Sequence, residues 1–324
     1  TETVDTETVD TETDSATGWL YTSGNLIKMN DGDGNPADDE TVILHGVSMI
    51  DITTVSTDGG YQAQLDRMAQ WNVNLVRMPV YPHDNTHGDT KPIGGWSTSN
   101  ADTLFNTYLD PAVQYAKSKG MYVIVDLHYI MDITATSANN TTVRQFWTDM
   151  APRYADDPMV LYEVYNEPIN TGGTQNWNDW QPIVQDFVDI IRGHAPQNLV
   201  LVGGPKWSQK IGGCATNPVT GGNIVYVAHL YSWHYYGADG ADIENQVETC
   251  HAAYPVMLTE WGGDNTTQLG YIAALIRDNG LSFTGWAFHN TWGPAMFSGG
   301  TDNVPSTWNV TTWGTTIDNF LDEY

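Results

Sequence analysis

Two glutamates, Glu167 and Glu260, stand at the ends of apolar segments in a chain of 324 residues. Glutamate is the rarer acid here, with 10 residues against 29 aspartates, so the acidic surface can be assigned mainly to Asp. A carboxylate at the end of a buried strand costs free energy unless it has partners or a function. Two carboxyl groups facing one pocket are what glycoside hydrolysis uses, because one protonates the departing oxygen and the other attacks or stabilises the sugar carbon.

Other polar or aromatic residues end the neighbouring apolar segments and are expected to face the same pocket. They are Arg77, His128, Asn166, His229, Tyr231 and Trp286. We expect Arg77 to keep Glu260 ionised, while a like charge and a dry wall keep Glu167 protonated. Glu163 and Asp126 face inward by the two-residue period of a strand, so we expect them to pair with a buried cation.

Eight short apolar segments alternate with longer amphipathic segments, which is typical of βα units around a parallel sheet. The predicted strands are 41–47, 73–80, 121–128, 160–167, 199–204, 224–231, 255–261 and 282–289. This number of units predicts an α/β fold, a (β/α)8 TIM barrel, whose functional side chains gather at the carboxyl ends of the strands. An open doubly wound sheet is the alternative, but no G-x-G-x-x-G follows the first strand. A short N-terminal β-hairpin within 19–46 is expected to close the barrel floor.

The motifs YNEP at 165–168 and LTEWG at 258–262 together resemble glycoside hydrolase family 5. The resemblance extends over residues 19–324 and implies a barrel that hydrolyses β-linked polysaccharides with retention. By the same resemblance, Glu167 is the acid/base, Glu260 is the nucleophile and Asn166 holds the 2-hydroxyl of the sugar.

The resemblance also gives each of the other strand-end residues a role. Arg77 orients the nucleophile, His128 and His229 line the site, Tyr231 hydrogen-bonds to the nucleophile and Trp286 stacks on the sugar. The implied activity is that of an endo-β-1,4-glucanase without metal or cofactor, acting on cellulose or a related glucan. A β-mannanase or another β-glycanase is the alternative within the family. A catalytically inactive polysaccharide-binding barrel and a metal-dependent hydrolase are alternatives of other classes.

The 13 tryptophans divide by their position along the chain. Trp207 and Trp233 follow predicted strands five and six, so both are expected to reach the cleft. Trp177 and Trp292 are expected in loops above the barrel mouth, where sugar contact and packing remain equal alternatives. Three tryptophans lie in helix-like patterns and are expected to pack in the core: Trp147, Trp180 and Trp313.

The charge of the chain limits its partners. Twelve basic residues against 39 acidic ones give a net charge of -27, which disfavours nucleic acid and anionic membrane surfaces and suits a neutral polysaccharide. The scattered acid and scarce Lys favour adaptation to concentrated salt over an ordinary acidic secreted protein. No apolar run is long enough for a transmembrane helix.

The ends and loops of the chain give further expectations. Residues 1–18 repeat Thr-Glu-Thr-Val-Asp and predict a disordered acidic linker. A linker favours a second module, such as a carbohydrate-binding module, upstream of the catalytic domain at 19–324, and a plain solvated tail is the alternative. The chain has no starting Met, and we expect a trimmed, secreted, extracellular product. Cys214 and Cys250 could form a disulfide or remain separate thiols. The segment DGDGNPADDE at 31–40 is predicted to be a hairpin turn rather than a calcium loop.

Overall fold

The computed structural model describes residues 18–57, 60–82, 93–169, 176–299 and 307–324. Its first element is a three-stranded antiparallel sheet. Its strands are β1 (Leu20–Ser23), β2 (Leu26–Met29) and β3 (Glu40–Thr41). The acidic segment 31–39 connects β2 to β3, as the turn prediction requires, and the exposed carboxylates of Asp31, Asp33 and Asp38 lie within 4.8 Å of one another. Apart from Gly18, which donates its backbone N–H to Asn30, the predicted linker lies outside the described residues.

Eight parallel strands form a closed barrel, which confirms the predicted fold class. They are β4 (His45–Ser48), β5 (Leu75–Val80), β6 (Tyr122–Leu127), β7 (Val160–Glu163), β8 (Val200–Gly203), β9 (Ile224–Tyr231), β10 (Val256–Gly262) and β11 (Ser282–Gly285). The strands follow one another in chain order around the barrel, and β11 closes it by pairing with β4.

Three of the predicted strand bounds were wrong by more than two residues. The first barrel strand begins at His45 rather than 41, because Glu40 and Thr41 pair with β2. The fourth strand ends at Glu163, so Asn166 and Glu167 lie in the segment just beyond it. The eighth strand ends at Gly285, before Trp286.

Helices cover the outside of the barrel. They are α1 (Ile52–Thr57), α2 (Tyr61–Met68), α3 (Ala101–Thr103), α4 (Asp110–Ser118), α5 (Ala138–Met150), α6 (Trp177–Arg192), α7 (Asp239–His251), α8 (Thr266–Asn279) and α9 (Thr312–Leu321). A π-helical segment, Leu104–Leu109, joins α3 to α4, and short 3-10 turns lie at Ala151–Tyr154, Gly212–Ala215 and Ser232–Tyr236. A small ribbon, β12 (Phe297–Ser298) with β13 (Asn309–Val310), precedes α9. Every helix in the described ranges is too short or too polar to span a bilayer.

The barrel interior is built in layers by the two-residue period of its strands. The lower layer is apolar and packs against Leu20 and Ile27 of the N-terminal sheet, which therefore closes the floor as predicted; the layer includes Leu75, Ile124, Leu161, Val227 and Met257. Two residues further along the same strands stand polar side chains, namely Arg77, Asp126, Glu163, His229 and Thr259. The mouth of the barrel is therefore polar because these five strands change from an apolar to a polar inward residue toward their carboxyl ends.

Buried tryptophans fasten the helices to the strand ends. The indole N–H of Trp147 donates to the carbonyl of Val164 at 2.9 Å, and that of Trp180 donates to Gly203 at 2.8 Å. Trp313 makes the same type of bond, at 2.8 Å, to the carbonyl of Trp286. The prediction that these three tryptophans belong to the core is confirmed.

Cys214 and Cys250 form a disulfide, which settles the question that their sequence left open. Their Cα atoms are 5.8 Å apart, and 36 residues separate them along the chain. Cys214 lies in the 3-10 turn after β8 and Cys250 lies in the last turn of α7. The bond therefore holds the segment after β8 against the helix that follows β9.

Candidate active site

Arg77 lies at the centre of the barrel mouth and is completely buried. Its Nε donates to Glu163 at 2.7 Å, its Nη1 to Glu260 at 2.8 Å and its Nη2 to the amide oxygen of Asn166 at 2.6 Å. Asp126 lies 2.9 Å from the same Nη2. Burial opposes the positive charge, yet the carboxylates of Asp126, Glu163 and Glu260 raise the pKa of Arg77 well above its ordinary value. The planar guanidinium therefore holds three strand ends in a fixed relation.

Glu260 has a defined partner at each carboxylate oxygen. Arg77 donates to Oε1, and the Tyr231 hydroxyl donates to Oε2 at 2.6 Å. Burial first, and then the charges of Glu260 and Glu167, raise the pKa of Tyr231 well above its ordinary value, so the phenol keeps its proton and remains a donor. Both hydrogen bonds fix the orientation of the carboxylate.

A local irregularity in β10 directs Glu260 into the barrel. Met257 faces inward, so the strand period places Thr259 inward and Glu260 outward. The pairing of β10 with β9 shifts register between Met257 and Glu260, and its pairing with β11 shifts between Leu258 and Trp261. A bulge of this type re-aims a side chain. Both Thr259 and Glu260 consequently reach the polar layer.

Glu167 contacts His229 at the rim of the polar layer, where the Nδ1 atom of His229 lies 2.8 Å from Glu167 Oε1. Burial is the main cause that raises the pKa of Glu167, and the bond to His229 opposes it. The pKa of His229 is raised to about 10, because Glu260, Glu163 and Glu167 together outweigh the effect of burial. An acid whose pKa is raised by burial thus stands beside an imidazolium.

The carboxyl groups of Glu167 and Glu260 are close together: one oxygen of each lies within 4.8 Å of the other and of a ring nitrogen of His229. Three such atoms could hold a metal ion, but both nitrogens of His229 already have partners, Glu167 at Nδ1 and Thr259 at Nε2. A metal ligand must offer a bare nitrogen, whereas this ring holds its protons up to about pH 10. The donor set therefore fits proton transfer better than metal binding.

Asn166 presents an unused donor next to Glu167. Its side chain is buried, its Oδ1 accepts from Arg77, and its Nδ2 has no partner among the described residues. A buried amide without a partner costs free energy. This N–H pair is therefore available to a ligand hydroxyl.

His128 and Trp286 form the opposite wall. The ring of His128 lies 5.2 Å from that of Trp286 at an interplanar angle of 11°, and its Nδ1 lies 2.7 Å from Asp126. Tyr81, 4.5 Å from the ring of His128, completes this aromatic group. Our sequence reasoning did not select Tyr81, although it directly follows β5 and the strand-end rule would have found it.

A cavity of about 390 Å³ opens beside Glu167. Its lining residues are Glu167, Lys206, Trp207, Gln209, His229, Tyr231, Trp233, His234 and Asp239. Trp207 and Trp233 are 41% and 43% exposed, which is unusual for indoles, and Trp233 stacks on Tyr231 with ring centroids 4.2 Å apart. The cavity thus offers two open aromatic faces next to the carboxyl group of Glu167.

The backbone that presents Trp207 is strained. Lys206, Trp207 and Ser208 have φ values of 56°, 57° and 56°, a left-handed conformation that L residues adopt at a free-energy cost. The Ser208 hydroxyl donates to the carbonyl of Asn166 at 2.7 Å, and the Trp207 N–H donates to that of Pro168 at 3.3 Å. The turn is therefore anchored to the segment that carries Glu167.

The family model described as cellulase (glycosyl hydrolase family 5) matches residues 33–291. The chain belongs to glycosyl hydrolase family 5. The resemblance stated from the two motifs is therefore confirmed. This family 5 chain is 29% identical, over 76% of its length, to Endoglucanase MaCel5A of Microbulbifer sp. (strain ALW1). It is 26% identical, over 67% of its length, to Endoglucanase Z of Dickeya dadantii (strain 3937).

Coverage differs between relatives and solved structures. The chain spans about half of these curated relatives, 47% and 49% of their lengths. Among solved structures, beta-glucanase SdGluc5_26A from Saccharophagus degradans superposes with a TM-score of 0.79 at 21% identity, covering 95% of this chain and 94% of the other. That similarity shows the shared family 5 fold.

Two tryptophans of this family 5 chain differ in their placement. Trp177, expected in a loop, begins α6, is buried, and donates to the carbonyl of Asn217 at 2.7 Å, so it is a packing residue. Trp292 lies in the loop after β11, partly buried against the core and 6.3 Å from the ring of Tyr81.

Of the cavity residues, Gln209, Lys206 and Asp239 carried no signal in the sequence, because only the folded loops bring them beside Glu167.

Proposed function

We propose that this protein is a retaining endo-β-1,4-glucanase. The observation that carries the proposal is the pair of carboxyl groups, with oxygens within 4.8 Å, one held by Arg77 and the other beside His229. Retaining glycosidases place their carboxyl groups about 5 to 5.5 Å apart, whereas inverting enzymes need about 6.5 to 9.5 Å to admit a water molecule. Relatives named endoglucanases support β-1,4-glucan as the substrate class.

In the proposed mechanism, Glu260 attacks the anomeric carbon and the glycosidic C–O bond breaks. Glu167 gives its proton to the departing oxygen, leaving a covalent bond between the sugar and Glu260. Glu167, now a carboxylate, takes a proton from water, which attacks the same carbon and releases Glu260. Asn166 Nδ2 donates to the 2-hydroxyl, and Tyr231 steadies Glu260 before and after the attack.

The cavity beside Glu167 is proposed to bind the leaving-group side of the chain. Trp207 and Trp233 would cover apolar sugar faces there. On the other side, Trp286 is proposed to stack on the sugar whose bond is cleaved, next to His128.

The environment of the enzyme is also a proposal. The net charge of -27 supports a secreted enzyme adapted to salt, acting on an uncharged polysaccharide. The Thr-rich acidic segment at the start of the chain supports a link to an upstream carbohydrate-binding module. Affinity electrophoresis in cellulose-containing gels, with and without sequence that precedes Thr1 in the gene, tests that link.

The first experiment measures reducing-sugar release from carboxymethylcellulose, β-mannan and mixed-linkage β-glucan in high salt. We expect glucan cleavage, with the β-anomer appearing first in the proton NMR spectrum of the product. Glu260→Gln should lower kcat on the order of 10⁴-fold on every substrate. Glu167→Gln should lower kcat by about 10² to 10⁴-fold on glucan but spare the first step on an aryl cellobioside with an acidic leaving group.

The same measurements separate the alternatives. Cleavage of mannan alone keeps the mechanism and replaces the substrate, and an α-anomer as first product overturns retention. Polysaccharide binding without cleavage identifies an inactive binding barrel. Activity lost to a chelator and restored by a divalent cation would identify a metal-dependent hydrolase.

A further inference from the structure

Thr259 lies between the two halves of the charged cluster and is completely buried. Its Oγ1 atom is 2.8 Å from Oε1 of Glu163 and 3.1 Å from Nε2 of His229. The motif LTEWG contains Thr259, but the resemblance gave this residue no role. The strand period from Met257 places it inward, one position before the bulged Glu260.

The direction of these two hydrogen bonds is fixed by chemistry. Burial opposes the charge of Glu163, but Arg77 and His229 outweigh it and lower the pKa of Glu163 to about 2. Glu163 is therefore a carboxylate, which can only accept, so the Thr259 hydroxyl must donate to it. The remaining capacity of Oγ1 is as an acceptor. His229 Nε2 must consequently carry a hydrogen atom.

We propose that Thr259 is a positioning residue that fixes a proton on Nε2 of His229, so that the ring exchanges protons only through Nδ1, the atom facing Glu167. This inference rests on the proposed function, because it assigns the purpose of the arrangement to acid/base catalysis at Glu167. Nδ1 lies 2.8 Å from Glu167 Oε1 and 3.5 Å from Glu260 Oε2. Thr259 itself does not contact the carboxyl group of Glu167 or that of Glu260.

The consequence is a continuous path of hydrogen bonds between the acid/base and the nucleophile. The path runs through Glu167, His229, Thr259, Glu163, Arg77 and Glu260. With both nitrogens protonated, the ring is a cation that stabilises the Glu167 carboxylate formed when its proton goes to the leaving oxygen. Charged and titratable groups that act on the ring from the surrounding elements are Glu163, Glu167, Glu260, Asp126, Arg77 and His234.

The test compares Thr259→Val, which keeps the shape and removes the hydroxyl, with Thr259→Ser, which keeps the hydroxyl. In ¹⁵N NMR of the His229 ring near pH 7, wild type and Thr259→Ser should show both nitrogens protonated. Thr259→Val should lose its ring proton at a lower pH than wild type in a ¹⁵N titration, because Nε2–H has lost its acceptor, while the surrounding carboxylates still hold the ring charged near pH 7. This readout does not depend on glucan cleavage, so it stands or fails separately from the proposed function.

Kinetics give a second readout. A ring that binds its second proton less tightly stabilises the Glu167 carboxylate less, so the alkaline limb of kcat/KM in Thr259→Val should move up by about one pH unit. We expect kcat to fall about tenfold with KM nearly unchanged, and Thr259→Ser to follow wild type. An unchanged ring titration and an unmoved limb in Thr259→Val, or equal loss in Ser and Val, would overturn the proposal.

Glu163→Gln is the second variant, in case Thr259→Val does not fold. The amide at position 163 can donate to the Thr259 hydroxyl. That hydroxyl would then donate to Nε2 of His229, and the ring proton would lie on Nδ1. A ring that keeps its Nε2 proton in Glu163→Gln contradicts the inference.

Discussion

At the scale of single residues, the cluster in the barrel mouth is close to electrically balanced. Arg77 and His229 are cations, and Glu163 and Glu260 oppose them as carboxylates. Burial raises the pKa of Asp126 well above its ordinary value, and burial also raises that of Glu167, so both carboxyl groups favour the uncharged form more than an exposed acid does. Buried ions are tolerated because charges of opposite sign lie close together: Arg77 is hydrogen-bonded to Glu163 and Glu260, and Glu260 Oε2 lies 3.5 Å from Nδ1 of His229.

Removing the central cation should therefore destabilise the protein. Arg77→Met leaves Glu163 and Glu260 buried without it, and we expect the free energy of unfolding to fall by about 3 to 5 kcal/mol in urea titrations. Arg277→Met is the matched control, because Arg277 pairs with Glu323 on the surface and should cost less than about 1 kcal/mol. Equal losses in the two variants would contradict this account of the cluster.

The pKa of His229 gives the stability a pH dependence. The folded protein holds this proton up to about pH 10, against an ordinary value of 6.5, so the stabilisation is complete below 6.5 and disappears as pH rises through 10. The difference in unfolding free energy between wild type and His229→Gln should be largest near pH 6 and narrow toward pH 10. The exposed His194 provides the control substitution, His194→Gln. A difference independent of pH would show that His229 acts by packing alone.

At the scale of elements, three backbone features aim the functional side chains. The bulge in β10 brings Glu260 inward, the segment after β7 carries Asn166 and Glu167 past the strand end, and the left-handed turn after β8 presents Trp207. The left-handed dihedral angles of this turn cost free energy, so the turn depends on contacts with its surroundings. Its attachment to the Asn166 carbonyl and the nearby disulfide supply that support.

The disulfide should contribute measurably to stability. Closing a loop of 36 residues is worth about 4 kcal/mol by the chain-entropy relation. The double variant Cys214→Ala with Cys250→Ala should lose about that amount in urea titrations without reductant. Wild type treated with reductant should approach the variant, and the variant itself should not respond. A reduced wild type as stable as the oxidised protein would contradict the prediction.

At the scale of the whole molecule, the surface is strongly acidic. Several of the few basic side chains are already held in pairs, including Lys117 with Asp157 and Lys119 with Asp66, so they leave most of the acid uncompensated. Exposed carboxylates repel one another over about 30 Å at 0.01 M salt and only about 3 Å at 1 M. The fold is therefore expected to be most stable in concentrated salt.

We predict that the melting temperature falls on dilution from about 1 M to about 0.01 M salt. Replacing Asp31, Asp33 and Asp38 together by Asn removes a cluster of exposed charges and should reduce that dependence without affecting the barrel mouth. Scanning calorimetry at several salt concentrations gives both values. A wild-type melting temperature that stays constant or rises on dilution contradicts the proposal of salt adaptation.

The amino-acid sequence by itself determined the barrel, the strand-end residues and the family. Apolar segments, their spacing and the free-energy cost of burying a carboxylate are properties of local sequence, so Glu167 and Glu260 could be selected without coordinates. The packing roles of Trp147 and Trp180 followed from helical periodicity in the same way.

The tertiary structure alone decided how these residues meet. Whether Glu260 and its neighbour Thr259 both face inward depends on a register shift against two other strands. The pairing of Cys214 with Cys250 and the burial of Trp177 likewise depend on segments distant along the chain. Side-chain direction is set by backbone pairing and packing between such segments, and a linear pattern does not encode the distance between them.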